Sequence, residues 1–505
     1  MSTCSETKHT SGLYFSNTSS KVIWLSVIVA VACYLCSPII STNLYRSIAV
    51  GRWILTFEKM PTEDLWSYAG TGVSWVNTSW AFDVLIASIE RSFGLQGLSV
   101  FKIVLSVLFL AISSALYSVL SGSVFFGTLV AVLVACGVLV STDLEPWLLQ
   151  GVCFLIIVFL LLSLRRFFLK AVAMLLIFTL ILNSGSGVIG ILLSLLLCVW
   201  SLPFPGKERL SFSFLLLSAL FLTPYGASLV FHAAKEEAFL IAQSFLTWSS
   251  FQAVVNFQSA FLGLLWVLYI ALGRNRRKVS PMLFIISLFL SLLSLVAFHY
   301  AFIALLVIGV MLSLSWNQLE AGKEVGLSQG ILKLKNQLST FPVVGSVWLL
   351  FCISVVSVLS TFRSYAIDVG VPDREVSMIN ESSFFPLLHP VEVGGYLIHR
   401  FSGSDGAPLN KIFADDRSLR INQAIGLLAS EVLSERVDIS EISEQFSPSA
   451  VLCRSTDALC QSLSEDSGWE RIESKDQVFS SELERRMAKV FSWSLYKKVT
   501  PLAER

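Results

Sequence analysis

Two short acidic stretches carry the side chains best suited to chemistry in this 505-residue sequence. Glu63 and Asp64 follow Pro61-Thr62 at the head of a segment rich in Gly, Ser and aromatic residues. Asp143 and Glu145 stand on either side of Leu144 in Ser141-Thr142-Asp143-Leu144-Glu145-Pro146. Alternate residues of an extended segment point the same way, so this second pair could face one cavity. Brought together, Asp64, Asp143 and Glu145 would make an acidic pocket. Such a pocket suits a divalent hard cation, Mg or Mn, held through oxygen ligands, or the removal of a proton from a hydroxyl. Each acid also has a plainer reading: Glu63 and Asp64 as solvated loop residues, Asp143 as the cap of a helix that begins near Pro146.

The elements that must position these acids are largely apolar. Hydrophobic residues make up 54% of the chain and charged residues 14%, and the mean hydropathy is +0.73. Soluble domains carry about 25% charged residues, so an ordinary soluble protein is excluded. A formal net charge of +1 gives no reason to expect a nucleic-acid partner. Apolar runs of about 17 to 25 residues, with shorter ones admitted where their flanks are charged, predict a mainly α polytopic membrane protein. About eleven transmembrane helices fall near 22–40, 98–118, 123–141, 147–164, 170–183, 187–202, 211–231, 259–273, 281–298, 301–316 and 341–362. Residues 1–21 form a polar lead, and the run after them reads as a retained span rather than a signal peptide. Cys33 and Cys36, inside that span, read as packing residues.

Lys and Arg in short loops are retained on the cytoplasmic side. Arg165, Arg166 and Lys170, then Lys207 and Arg209, then Arg274 to Lys278, then Lys323 to Lys335 fall in alternate loops. This pattern places the amino terminus inside, and the loop 41–97, the Asp143 loop and the tail 363–505 outside. In the first loop, Leu44–Phe57 and Trp80–Phe93 place apolar groups at helical spacing with charges between them, the pattern of two amphipathic juxtamembrane helices. The chain then divides into a cytoplasmic tail (1–21), a transmembrane domain (22–362) and a small external α/β domain (363–505). In that domain 394–398, 411–414 and 450–452 read as strands and Ile421–Arg436 as a helix. Cys453 and Cys460 are its only cysteines, a disulfide candidate if the compartment oxidises. Asp415-Asp416-Arg417 could bind a sugar or a cation, or could be a strand end with a paired arginine.

One set of residues carries a resemblance. In the first loop these are Gly51-Arg52-Trp53-Ile54, Pro61, Asp64, Ser67, Gly72, Trp75, Trp80 and Asp83. Further on come Thr223-Pro224-Tyr225-Gly226, Trp248-Ser249, Gly394-Gly395-Tyr396-Leu397-Ile398, Phe413-Ala414-Asp415-Asp416-Arg417 and Gly468-Trp469 with Asp476, Val478 and Phe479. With the order of acid-bearing loops and external tail, the chain resembles a largely uncharacterised group of bacterial multi-span proteins related to the GT-C class of glycosyltransferases. It departs from that group at Glu145-Pro146 and at Asn183-Ser184-Gly185.

The resemblance implies transfer of a sugar from a polyprenyl-phosphate carrier to a glycan, lipid or protein acceptor at the outer face of the inner membrane. Asp64 would then be the catalytic base, with Glu63, Asp143 and Glu145 around it. Arg52, Lys235 and Arg363, near the predicted external interface, would face the carrier phosphate or anchor their helices at lipid headgroups. His232, His299 and the aromatics around Trp248 would line an acceptor groove or simply pack. A polymerase or ligase of surface polysaccharide, a transporter and a non-catalytic scaffold are the competing readings. The spans show no internal repeat, which argues against transport.

Overall fold

The computed structural model describes residues 42–139, 144–164, 166–185, 188–201, 204–226, 228–229, 231–235, 238, 257–272, 281–296, 299–321, 372–379, 382–415, 446–455, 458–472 and 493–499. The polar lead, the predicted first and last spans, Asp143, Trp248, Arg363, Asp416, Arg417 and the predicted helix Ile421–Arg436 lie outside them.

Within these residues the fold is mainly helical. After α1 (Thr42–Phe57) the apolar runs become α2 (Trp80–Ser121), α3 (Val124–Leu139), α4 (Pro146–Ser163), α5 (Phe167–Leu182), α6 (Val188–Ser201), α7 (Gly206–Ala219), α8 (Phe257–Ala271), α9 (Pro281–Val296) and α10 (His299–Ala321). Among the described residues, α2, α4 and α10 are long and apolar enough to cross a membrane. The apolar helices α3, α5, α6, α8 and α9 have 14 to 16 residues. They cover about 21–24 Å, less than the roughly 30 Å of a hydrocarbon core.

Two predicted elements are fused in α2. The amphipathic stretch from Trp80 and the apolar run from Leu98 form one helix, bent at Gly94, where φ is 65° and ψ is −169°. Glycine adopts that conformation without a Cβ clash. Phe93, 73% exposed, and Leu95, 49% exposed, flank the bend. Beyond it, Leu98, Lys102, Leu105, Phe109, Ser113, Leu116 and Leu120 are buried at spacings of three and four, the stripe a helix needs to pack inward. That stripe meets α10. Phe109 lies 6.4 Å from Phe302, and the Tyr117 hydroxyl donates to the Leu306 carbonyl at 3.2 Å. The increasing numbers on both helices show that they run in parallel.

The carboxyl-terminal segment supplies α11 (Asp373–Ser377), β1 (Leu387–Leu388), α12 (Val391–Arg400), β2 (Ala450–Arg454), α13 (Ala458–Glu465), β3 (Trp469–Ile472) and β4 (Trp493–Lys498). The sheet order is β1-β2-β4-β3, with β1 parallel to β2 and the other pairs antiparallel. Parallel bridges Leu387↔Ile412 and Ser67↔Ile412 continue this sheet past β1 into the first loop. The Ile412 amide donates to the Trp66 carbonyl at 2.9 Å, and the Tyr68 amide donates to the Ile412 carbonyl at 2.8 Å. One core holds Ala49, Val50, Ile54 and Trp66 together with Leu387, Val393, Leu397, Leu452 and Leu495. The other face of α1, Leu44 and Ile48, packs with Phe82 and Ile86 in the bundle core. The first loop and the tail therefore build one composite cap, joined to the bundle through α1.

The sequence expectations for the tail are met unevenly. Residues 450–452 are strand β2, and Cys453 and Cys460 are disulfide-bonded. Residues 394–398, expected as a strand, lie in helix α12. Two glycines weaken a helix and the β-branched neighbours favour a strand locally, but burial of Val393, Tyr396 and Leu397 at helical spacing overrides propensity. Gly394 packs closely on this helix: a Cβ there would come within 2.4 Å of the Ala414 carbonyl oxygen. Residues 411–414 make the lone bridges at Ile412 rather than a regular strand.

Candidate functional site

Asp64 sits in a hairpin closed by the Glu63↔Ser74 bridge and by the Trp75 amide donating to the Thr62 carbonyl at 2.8 Å. Glu63 points to the exposed side and Asp64 inward, with 1% of its surface accessible. Its Oδ1 accepts from the amides of Trp66 (3.1 Å) and Ser67 (3.2 Å), and its Oδ2 accepts from the Ser67 hydroxyl. The Gly70 amide donates to Ser67 Oγ at 3.1 Å, and a Cβ on Gly70 would lie 2.7 Å from Asp64 Oδ2. An aspartate bonded to amides two and three residues ahead is a turn former. It steers the chain into residues 66–69, which join the sheet. In this conformation the carboxylate faces its own turn.

Arg52 projects from α1 to α2, where Nε and Nη2 donate to Glu90 at 3.1 and 2.7 Å, a bidentate pair. His399 of α12 lies beside it, its ring 5.2 Å from Tyr45 of α1. Burial first, and then the Arg52 charge, push the His399 pKa down to about 4, so the ring is neutral near pH 7. Arg52, expected at a phosphate, is thus a link between the two amphipathic helices. Lys235 and His232 are exposed on the segment after Tyr225, and Arg363 is outside the described residues.

Glu145 is half-buried at the amino-terminal end of α4, where its carbonyl accepts from the Leu148 amide at 3.1 Å and its side chain makes no cap bond, and it is followed by Pro146 at the first helical position. With Asp143 outside the described residues, the three-acid pocket is not assembled within them. No group of three His, Cys, Asp or Glu there has metal-holding geometry.

The remaining motif residues converge where cap meets bundle. The Asn77 amide group donates to Asp83 Oδ2 at 2.8 Å, and the Asn77 backbone amide donates to the Tyr225 hydroxyl at 3.2 Å. The Trp80 indole donates to Asn183 Oδ1 at 2.7 Å, and the Ala81 amide to the Asn183 carbonyl at 2.9 Å. A Cβ on Gly51 would come within 2.0 Å of the Asp83 carbonyl oxygen, so only glycine lets α1 cross α2 this closely. A Cβ on Gly185 would lie 2.6 Å from Pro146 Cβ. The first loop, the 183–185 turn, the Tyr225 turn and the start of α4 therefore share one end of the bundle.

His389 in the cap is structural. The Phe413 amide donates to its Nε2 at 3.1 Å and its Nδ1 donates to the Pro390 carbonyl at 2.8 Å, while burial pushes its pKa down to about 4. Asp415 is fully buried beneath α12. Sequence reasoning gave no role to Lys102, which is fully buried on α2. One lysine does not interrupt a long apolar run, and its inward position is readable only from the stripe it shares with Leu98 and Leu105.

No protein-family model matches this chain, and a search of curated proteins finds no match either. The fold and the site define a class: an apolar helical bundle with acid-bearing loops gathered at one end under a composite α/β cap.

Proposed function

We propose that the chain is a GT-C-like membrane glycosyltransferase of a bacterial inner membrane, passing a sugar from a polyprenyl-phosphate carrier to a hydroxyl of a glycan, lipid or protein acceptor. The observation that supports this reading is the convergence of the first loop, the Glu145 end of α4 and the tail at one end of the bundle. A carrier phosphate leaves as a stable anion, so such a protein chiefly supplies a base for the acceptor and positive charge near the phosphate. The positive-inside pattern of the sequence supports an outer-face cap, and Lys170, at the predicted inner end, lies over the Phe204 ring at 4.9 Å. A disulfide in the cap suits an oxidising compartment.

The enclosure of Asp64 by its own turn favours one second reading, a non-catalytic scaffold of the same fold. Both readings are tested by mass spectrometry of envelope glycans and lipid-linked sugars in a deletion strain complemented with wild type, Asp64→Asn or Glu145→Gln. Carrier-linked sugar accumulating in the deletion and in one variant, at normal protein level, is the outcome glycosyl transfer requires. A glycan profile that deletion leaves unchanged overturns it and leaves the scaffold.

A further inference from the structure

Gln150 is fully buried on α4, one turn inside Pro146. Its Nε2 donates to the Ile181 carbonyl at 3.2 Å, and that carbonyl also accepts from the Ser184 amide at 3.1 Å. The amide nitrogen is therefore tied to the carboxyl-terminal end of α5, which fixes the way the side-chain amide faces. Its Oε1, equally buried, has no hydrogen-bond donor among the described residues.

A helical side chain leans toward the amino terminus of its helix, which on α4 carries the amide toward the cap end. The 183–185 turn covers it there: a Cβ on Gly185 would lie 3.4 Å from Gln150 Nε2 and 2.6 Å from Pro146 Cβ. The side chains of that turn are engaged elsewhere, since Asn183 Oδ1 receives the Trp80 indole and Ser184 Oγ donates to the Leu180 carbonyl. On the next face of α4, Trp147 lies 6.5 Å from Phe302, which closes on Gly151. Pro146 and Trp147 are half-buried, so the amide lies only about 6 Å, four residues along the helix, below side chains that solvent reaches. A buried acceptor without a donor costs stability, and native interiors seldom leave one so. Ionised phosphate and carboxylate oxygens have no proton to give an amide oxygen, whereas a hydroxyl does. One fixed polar group in an apolar, aromatic wall is the way small-molecule sites orient a hydroxylated ring.

We infer that Gln150 binds a sugar hydroxyl beneath the 183–185 turn, at a neutral site separate from the groups that face the carrier phosphate. This inference rests on the glycosyl-transfer reading above. The hydroxyl donates to Gln150 Oε1 while Nε2 keeps its bond to Ile181, so the site selects sugars with a hydroxyl at one ring position. A site built to hydrogen-bond a substrate hydroxyl rejects the analogue lacking it far more strongly than an apolar pocket rejects a missing methylene.

The test uses the full chain as wild type and Gln150→Met. Apparent unfolding temperature in detergent is read with polyprenyl phosphate alone, with polyprenyl-phosphate-linked glucose, galactose or mannose, with their monodeoxy analogues, and with the methyl glycosides of the same sugars. Sugar transfer is read in isolated membranes. In the wild type, one carrier-linked hexose raises the unfolding temperature beyond polyprenyl phosphate alone, and removing one hydroxyl abolishes the gain. The same pattern from a methyl glycoside supports the site and assigns the hydroxyl to the acceptor. Gln150→Met unfolds within about 2 °C of wild type, because the unfilled oxygen goes together with the Ile181 bond. It loses the sugar-dependent gain, and its transfer falls about tenfold or more. A wild-type chain that gains nothing from any sugar, or whose gain is indifferent to every deoxy position, overturns the site. So does a Gln150→Met chain that binds and transfers like wild type, its amide oxygen having met only a buried water. A hydroxyl-dependent gain with no transfer by the wild-type chain overturns the glycosyl-transfer reading and leaves the site standing.

Discussion

Replacing Trp66 tests whether the first loop and the tail are one folding unit. Its side chain is 1% exposed, its indole N–H donates to the Gly406 carbonyl at 3.1 Å, and its rings meet Trp53 at 6.3 Å and Trp75 at 6.1 Å. Truncating a buried tryptophan to alanine costs about 3–5 kcal/mol, and stranding the Gly406 carbonyl adds roughly 1 kcal/mol. Trp66→Ala should therefore cost the cap about 4–6 kcal/mol, which at 1.4 kcal/mol per tenfold raises its open population about a thousandfold or more. Trp66→Phe keeps a ring in the site and should cost about 2 kcal/mol. The assay is limited proteolysis of the full chain in membranes, with fragments mapped by mass spectrometry. Cleavage within 372–499 should accelerate in the order wild type, Phe, Ala, while the helices stay protected. Unchanged protection of 372–499 in Trp66→Ala, with cleavage only in the first loop, would refute the shared core.

Three further outcomes follow from the cap and its seat. The disulfide spans a sequence separation of 7, so Cys453→Ser/Cys460→Ser should lower cap stability by about 2–3 kcal/mol in the chain-entropy model; cap melting with and without reductant measures it. Arg52→Ala should cost about 1 kcal/mol, since the pair with Glu90 is bidentate but partly exposed at 23% and 14%; the reversal Arg52→Glu/Glu90→Arg should recover part of it in a double-mutant cycle. His389 has an ordinary value of 6.5 and a folded value of about 4. Its pKa is depressed, so its neutral-state stability is present above about pH 6.5 and is lost as pH falls toward 4, about 3 kcal/mol in all. Denaturant titration of the cap across that window should show the slope, and His389→Gln should flatten it.

Much of the bundle is legible in the sequence because apolar runs must bury themselves, and most described runs from Leu98 to Trp316 become helices, but the run expected over 211–231 is broken, its helix ending at Ala219 before the turn at Thr223–Gly226. The amphipathic α1 and the start of α2 are legible for the same reason, through alternation of apolar and charged residues. Their relation to the tail is not. Nothing local in Trp66 announces a partner at Gly406, 340 residues later, and the residues around Ile412 become a sheet member only because Ser67 and Leu387 flank them. The error at Gly394-Gly395 has a similar origin, since tertiary burial outweighs two helix-weakening glycines. In the site, acid spacing picks out Asp64 but is blind to the hydroxyl and amides that claim it. Lys102 is hidden by the hydropathy of its neighbours.

The outer edge of the cap sheet comes from residues made early and its interior from residues made last. During synthesis the early strand must therefore wait, with Trp66 lacking its acceptor, until every intervening helix has been inserted. If one of those helices enters the bilayer the wrong way round, the two halves of the sheet finish on opposite sides of the membrane and cannot meet. Closure of the cap therefore depends on every intervening helix, and a chain threaded incorrectly would be left with an unpaired sheet edge and an open core.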